Sequence, residues 1–129
     1  MKAEFAIRLG TIAPMGKPSV RSSSFGKKHY FPPKYKQYCG LVGLLINRQR
    51  SEKESFGKCA TKVSVEFHFV KEKVGKPDID NLLKSLFDII TDLGIWAGDE
   101  YICDLTAKKL YCAQEHRILL WITKLPSEK

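Results

Sequence analysis

Residues 75–88 read GKPDIDNLLKSLFD and set two aspartates, Asp78 and Asp80, two positions apart at the start of an amphipathic segment. Lys76 precedes a proline and is biased toward extended backbone. If the extension reaches Asp80, both carboxylates point to the same side. Carboxylates held close together resist joint ionisation. A divalent cation removes that penalty, and hard aspartate oxygens suit magnesium, which keeps several waters beside one or two carboxylates. Further along, Asp80, Lys84 and Asp88 follow at steps of four, so they share one helical face away from the leucines. A helix from about 81 to 92 would be ~18 Å long. The chain from Leu93 to Asp99 can span at most about 20 Å. If Gly94 reverses the chain, Asp99 can return to the helix start and join Asp78 and Asp80, with Lys84 one turn away. Three carboxylates and a lysine fit metal-dependent phosphodiester cleavage: metal activates water, and the lysine offsets charge in the transition state.

Simpler roles exist for the same residues. Asp78 or Asp80 suits a helix N-cap. Lys84 and Asp88 make an ordinary helical ion pair, and Asp99 an ordinary turn residue after glycine. Spacing leaves both readings open, since one D-x-D pair is common by chance. His68, alone on the outer face of a strand, reads as plain surface rather than as a catalytic base. Cys39, Cys59, Cys103 and Cys112 include no C-x-x-C pair and no histidine at zinc-ligand spacing, so buried reduced thiols are expected.

The net charge of +8 is unevenly spread. Residues 1–62 hold 13 Lys/Arg against 3 Asp/Glu, net +10; residues 63–129 hold 9 against 11, net −2. No acid occurs between Phe5 and Ser51. A basic half joined to an acidic half suits a polyanion gripped by one part and worked on in the other, which favours nucleic acid as partner. The hydrophobic fraction of 43% is that of a folded protein, not a disordered one. No apolar run approaches the roughly 20 residues of a membrane span, and the charged, alternating start MKAEFAIRLG does not resemble a signal peptide. A cytoplasmic protein with no membrane partner is expected.

Alternation predicts strands over 3–9 and 60–70, with Val63, Val65, Phe67 and Phe69 facing the core. A helix is expected from about Pro33 to Arg50, with Tyr38, Leu41, Val42, Leu45 and Ile46 as its stripe. A second follows Asp80, lined by Leu82, Leu83, Leu86, Phe87, Ile90 and Leu93, with Gly94 just past its end. Residues 101–111 and 115–124 read as two strands of a hairpin. The order strand-helix-strand-helix-strand-strand predicts a single α+β domain over 1–129 around a mixed sheet with two main helices. Between the first strand and the first helix, about 10–34, lies a Gly/Pro/Ser/Lys loop that also carries Phe25, His29, Tyr30 and Phe31. Basic residues interleaved with aromatics suit phosphate contact and base stacking. Lys17, Arg21, Lys27 and Lys28 are its leading phosphate-contact residues.

The run KPDIDNLLKSLFDIITDLGIWAGDEYICDL resembles the core motif of the RusA family of Holliday-junction resolvases. That motif has the form D-x-D-N-L-x-K-x-x-x-D, then a Trp…Asp segment leading into a strand. Asp78, Asp80, Asn81, Leu82, Lys84, Asp88, Trp96 and Asp99 match it, and the first strand, basic loop and helix resemble the family more loosely. The resemblance implies a homodimeric, magnesium-dependent endonuclease, with manganese as a substitute, that nicks opposing strands of four-way DNA junctions symmetrically in recombination and repair. By the motif, Asp78, Asp80 and Asp99 bind the metal, Lys84 is the catalytic lysine and Asp88 is a supporting acid. Family members often have two adjacent aspartates after the tryptophan, where this chain has Gly98-Asp99-Glu100, so Glu100 competes with Asp99 as third acid. A non-catalytic basic nucleic-acid-binding module, or a nuclease acting on flaps or forks, are the alternatives.

Overall fold

The computed structural model describes residues 2–18, 21–22, 29–30, 32–51, 55–70, 77–111 and 113–126. Its elements in chain order are β1 (Lys2–Gly10), β2 (Arg21–Ser22), β3 (His29–Tyr30), α1 (Pro33–Gln49), β4 (Thr61–His68), α2 (Ile79–Asp92), β5 (Ile102–Leu110) and β6 (His116–Lys124), with a short 3-10 turn at Asp99–Tyr101. The expected α+β order of main elements is present. The basic loop is not wholly irregular: β2 and β3 pair antiparallel within it, Arg21 opposite Tyr30.

The main sheet runs β1-β6-β4-β5. β6 is antiparallel to both β1 and β4, and β5 is parallel to β4, so the sheet is mixed. Segments 101–111 and 115–124 do form strands, but they are not hairpin partners as expected. β6 inserts between β1 and β4, while β5 takes the edge. The reason is burial. Ile118, Leu120 and Ile122 of β6 are fully enclosed on one face while Leu119 and Trp121 are half-buried on the other, which suits a central strand. β5 carries mostly exposed side chains on both faces, which suits an edge.

Period-two alternation puts Ala3, Phe5, Ile7 and Leu9 of β1 and Val63, Val65 and Phe67 of β4 into one core with β6. Both helices close it. α1 contributes Tyr35, Tyr38, Val42 and Ile46 at helical spacing, and α2 contributes Leu82, Leu83, Leu86, Phe87, Ile89 and Ile90. Each fully enclosed Leu or Ile contributes about 1.5–3 kcal/mol relative to exposure. Residues Lys62, Ser64, Glu66 and His68 lie on the opposite face of β4, as alternation predicts, and His68 Nε2 lies 3.0 Å from Glu66 Oε1. Among the cysteines with described side chains, Cys39 and Cys59 are half-buried and Cys103 is exposed, so the expectation of buried thiols fails at Cys103. No helix among the described residues is long and apolar enough to cross a membrane.

The end of α2 is a Schellman motif. The Gly94 amide donates to the Thr91 carbonyl at 3.0 Å and the Ile95 amide to the Ile90 carbonyl at 3.3 Å. Gly94 has φ +74°, which a β-carbon disfavours, while Ile90 and Ile95 are both fully buried beside it. Trp96 then seats edge-on against Phe87, ring centroids 5.5 Å apart, and donates its indole N–H to Thr91 Oγ1 at 2.7 Å. Gly94→Ala should lower the unfolding free energy by about 1–2 kcal/mol, read from the urea midpoint at constant slope.

Candidate active site at the head of the second helix

α2 begins at Asp78, whose carbonyl accepts the first helical bond from the Leu82 amide at 3.1 Å. Asp78 holds the N-cap position with extended backbone, φ −66° and ψ 145°, yet its side chain makes no capping bond. The cap reading therefore accounts for its position and not for its carboxylate, which is left facing solvent. Asp80 is exposed in the first turn, and its Oδ1 accepts a local bond from the Asn81 amide at 3.0 Å. Lys84 is exposed one turn on. Two carboxylates and an ammonium thus share the solvent side of the helix head, where the positive end of the helix dipole favours anions.

Asp88 behaves differently. Instead of the expected Lys84–Asp88 pair, Asp88 Oδ2 lies 2.7 Å from Lys17 Nζ. The basic loop comes down onto α2 at this point. The Lys17 amide donates to the Asn81 carbonyl at 3.3 Å. A β-carbon on Gly16 would stand 3.0 Å from the Asn81 β-carbon and 3.4 Å from that of Pro77. A side chain here would have to push Asn81 aside by a few tenths of an ångström, so glycine suits the close approach to the helix head. Ile12, Ala13 and Met15 pack against the core just before it. The ion pair is solvent-exposed, with half of the Asp88 side chain accessible, so it contributes at most about 1 kcal/mol. Its effect is positional: it holds Lys17 against α2. Of the other basic residues, Arg21 has its backbone in β2, and Lys27 and Lys28 lie outside the described residues.

Asp99 sits elsewhere. The chain does reverse after Gly94, but it is then tied to the segment ahead of β4. The Phe56 amide donates to the Ile95 carbonyl at 2.8 Å and the Ala97 amide to the Gly57 carbonyl at 2.9 Å. β5 starts with Ile102 opposite Thr61, the first residue of β4. The head of α2 lies at the other end of β5, where Lys109 Nζ donates to the Pro77 carbonyl at 3.0 Å. From Ile102 to Lys109 the strand covers roughly 23 Å at about 3.3 Å per residue. Within one chain, then, Asp99 is not carried to Asp78 and Asp80. Consistently, no three His, Cys, Asp or Glu side chains gather to hold a metal among the described residues. Glu100 folds back so that its carboxylate occupies the space where a side chain on Gly98 would stand, and Asp99 opens the 3-10 turn, exposed.

A cavity not anticipated from the sequence lies between the helices, lined by Lys17, Tyr35, Cys39, Ser85, Asp88 and Asp92 among others. The Tyr35 hydroxyl donates to Ser85 Oγ at 3.1 Å, and burial pushes the tyrosine up to about 12. Burial likewise raises the Cys39 thiol. Both stay neutral near pH 7, which makes them packing groups rather than nucleophiles. Ser85, a polar residue on the leucine side of α2, was the available sign that a buried partner faced it.

The family described as Endodeoxyribonuclease RusA matches residues 11–123, from the basic loop through β6. The chain belongs to the RusA family. It is similar to the crossover junction endodeoxyribonuclease RusA of Escherichia coli, 31% identical over 67 residues, which is 52% of this chain and 54% of the relative. The proteins of that name from Shigella sonnei and Enterobacteria phage 82 match with the same identity and coverage. The similarity spans about half the length of these relatives.

The docked loop makes a prediction. Gly16→Val forces side-chain atoms onto Asn81, so amide exchange at Lys17 should quicken about tenfold or more while the α2 core amides keep their protection. Unchanged exchange at Lys17 would show that the loop is held by other contacts.

Proposed function

We propose that this protein is a magnesium-dependent endodeoxyribonuclease that resolves four-way DNA junctions by paired symmetric nicks, acting as a twofold homodimer in the cytoplasm, in recombination and repair. The observation that carries the reading is the Asp78 carboxylate, held at a helix N-cap without capping it and flanked by Asp80 and Lys84. Hard, exposed oxygens from two nearby carboxylates fit magnesium; manganese, with similar oxygen preference, should substitute. When bound, the metal would supply a water of lowered pKa and charge neutralisation on the phosphate.

The chain's own groups divide the remaining work. Asp78 and Asp80 would hold the ion, and Lys84 would place a positive charge against the scissile phosphate as negative charge develops there. Asp99 is the third metal-binding acid of this reading. Because one chain keeps it at the far end of β5, a second copy would have to bring its Asp99 to the Asp78–Asp80 pair. Twofold pairing places two such composite sites on a substrate that itself has near-twofold symmetry. Asp88 supports the site indirectly, by anchoring Lys17 and the basic loop that would run along the DNA backbone.

Asp80→Asn should bind a synthetic four-way junction with near-unchanged affinity and lose cleavage by about a hundredfold or more, since a metal-bound charge rather than a shape is removed. Chelation should abolish wild-type cleavage, and linear duplex should remain uncut. Cleavage surviving chelation would remove the metal from the mechanism, and equal cleavage of flaps and forks would broaden the substrate class. Junction affinity should also fall steeply with added salt if the basic loop contacts phosphates.

A further inference from the structure

The face of the main sheet that turns away from the helices is open to solvent. Along β1, β4 and β6 its side chains are exposed or half-buried, while the alternate residues of the same strands form the core. At one end of the open face lies a cavity of about 630 Å³, lined by Ala6, Arg8, Gln114, Glu115, Arg117 and Leu119 among others. The register sets Arg8 of β1 directly opposite Arg117 of β6. Like charges in that position destabilise an antiparallel pair. Only one of them is countered. Arg8 Nε donates to Glu115 Oε1 at 2.6 Å, and 75% of the Arg8 side chain is still exposed. That bond uses Nε and leaves both terminal amino groups of the guanidinium for another anion. Arg117 is exposed and has no ion-pair partner among the described residues. Its cross-strand neighbours are Arg8 and His68, and His68 is turned to Glu66.

We propose that Arg8 and Arg117 form a phosphodiester site on this open face, where the backbone of a DNA arm leaving the head of α2 is held. Two guanidinium groups over one cavity suit a tetrahedral anion, because each fork can grip two phosphate oxygens at once. An anion there also relieves the repulsion that the free protein carries between the two arginines. The choice of DNA as the source of the phosphate rests on the nuclease reading above; the juxtaposition of the two arginines does not.

Position argues for the arm. Arg8, Arg117, His68 and Leu110 make one row across the four strands. Leu110 follows Lys109, which bonds to the Pro77 carbonyl where α2 begins. The arginines therefore sit at the same end of the sheet as Asp78 and Asp80. At about 4.8 Å between strands they stand roughly 10–14 Å along the row from β5, and on the opposite face from the helices. Duplex DNA carries a charge every ~1.7 Å of its axis, so an arm passing this corner brings phosphates to the cavity. Lys17 is docked on α2, on the helix side of the sheet, and the arginine pair gives the chain a second grip on the other side.

Binding of a synthetic four-way junction by the full chain, measured with chelator present so that no strand is cut, reads the site without the chemistry. Arg117→Gln should weaken binding about tenfold and lower the slope of log affinity against log salt by about one, as the loss of one phosphate contact requires. Arg117→Lys should keep the slope and lose affinity only in part, because it keeps the charge and gives up the fork. Lys62→Gln removes a cation from the same face roughly 20 Å away along β4 and should leave affinity within about twofold. The urea midpoint of Arg117→Gln should equal or exceed that of the wild type, since a like-charge opposition is removed. Wild-type affinity and slope in Arg117→Gln, an equal loss in Lys62→Gln, or a lowered urea midpoint would each overturn the proposal. A wild type that binds the junction through Arg117 but leaves it uncut with magnesium would remove the nuclease reading and leave the phosphate site standing. A wild type that cuts the junction, with Arg117→Gln binding as tightly, would do the reverse.

Discussion

Parallel strands cannot be joined by a tight turn, and that constraint governs this molecule. β4 and β5 begin at the same end of the sheet, so the connection between them must cross its length, and α2 makes the crossing. The helix consequently starts beside the end of β5 and finishes beside its start. Carboxylates placed at its two ends, Asp78 and Asp80 at one and Asp99 just past the other, are held apart by the strand itself. The same stiffness that keeps them apart gives each a fixed position. Ile90 and Ile95 pack at the Schellman turn, and Trp96 is locked between Phe87 and Thr91, so Asp99 sits on a rigid corner. Preorganised groups on rigid elements are what metal-assisted cleavage requires.

The basic loop is coupled to the same helix. Gly16 lies against Asn81 and Pro77, and Lys17 reaches Asp88 two turns below Asp80. One face of α2 thus carries the acids that would bind metal, the lysine that would face phosphate and the anchor of the positively charged segment. The uneven charge of the chain acquires a geometry from this: the basic half meets the acidic half along α2, where a polyanion could touch both. Membership of the RusA family gives this arrangement its reading as a nuclease of branched DNA.

Much of the fold was legible because its elements have clean periods. The alternation of 3–9 and 60–70 and the leucine stripe of α2 follow from burial on one face, which the order of apolar and polar residues reveals. Gly94 was legible as a helix end because few other residues accept its backbone geometry. Strand order was not. Segments 101–111 and 115–124 are adjacent in sequence, and adjacency suggests a hairpin, but the apolar run ILLWI demands a central place that the polar run CDLTAKK does not. The site was half legible. The D-x-D pair and Lys84 share the helix head as their spacing implied. Chain length allows Asp99 to reach the helix head, but length ignores the Phe56–Ile95 and Ala97–Gly57 hydrogen bonds that hold the returning chain at the far end. The partner of Asp88 is not legible in the sequence, because Lys84 is near along the chain whereas Lys17 is near only after folding.

The central claim is that each site draws Asp78 and Asp80 from one copy and Asp99 from the other. Mixing the inactive variants Asp80→Asn and Asp99→Asn tests it directly on a four-way junction with magnesium. If sites are shared, a mixed dimer contains one doubly damaged site and one intact site, and the mixture regains nicking of a single strand that neither variant shows alone. If each chain builds its own site, every site in the mixture carries one lesion and no cleavage returns.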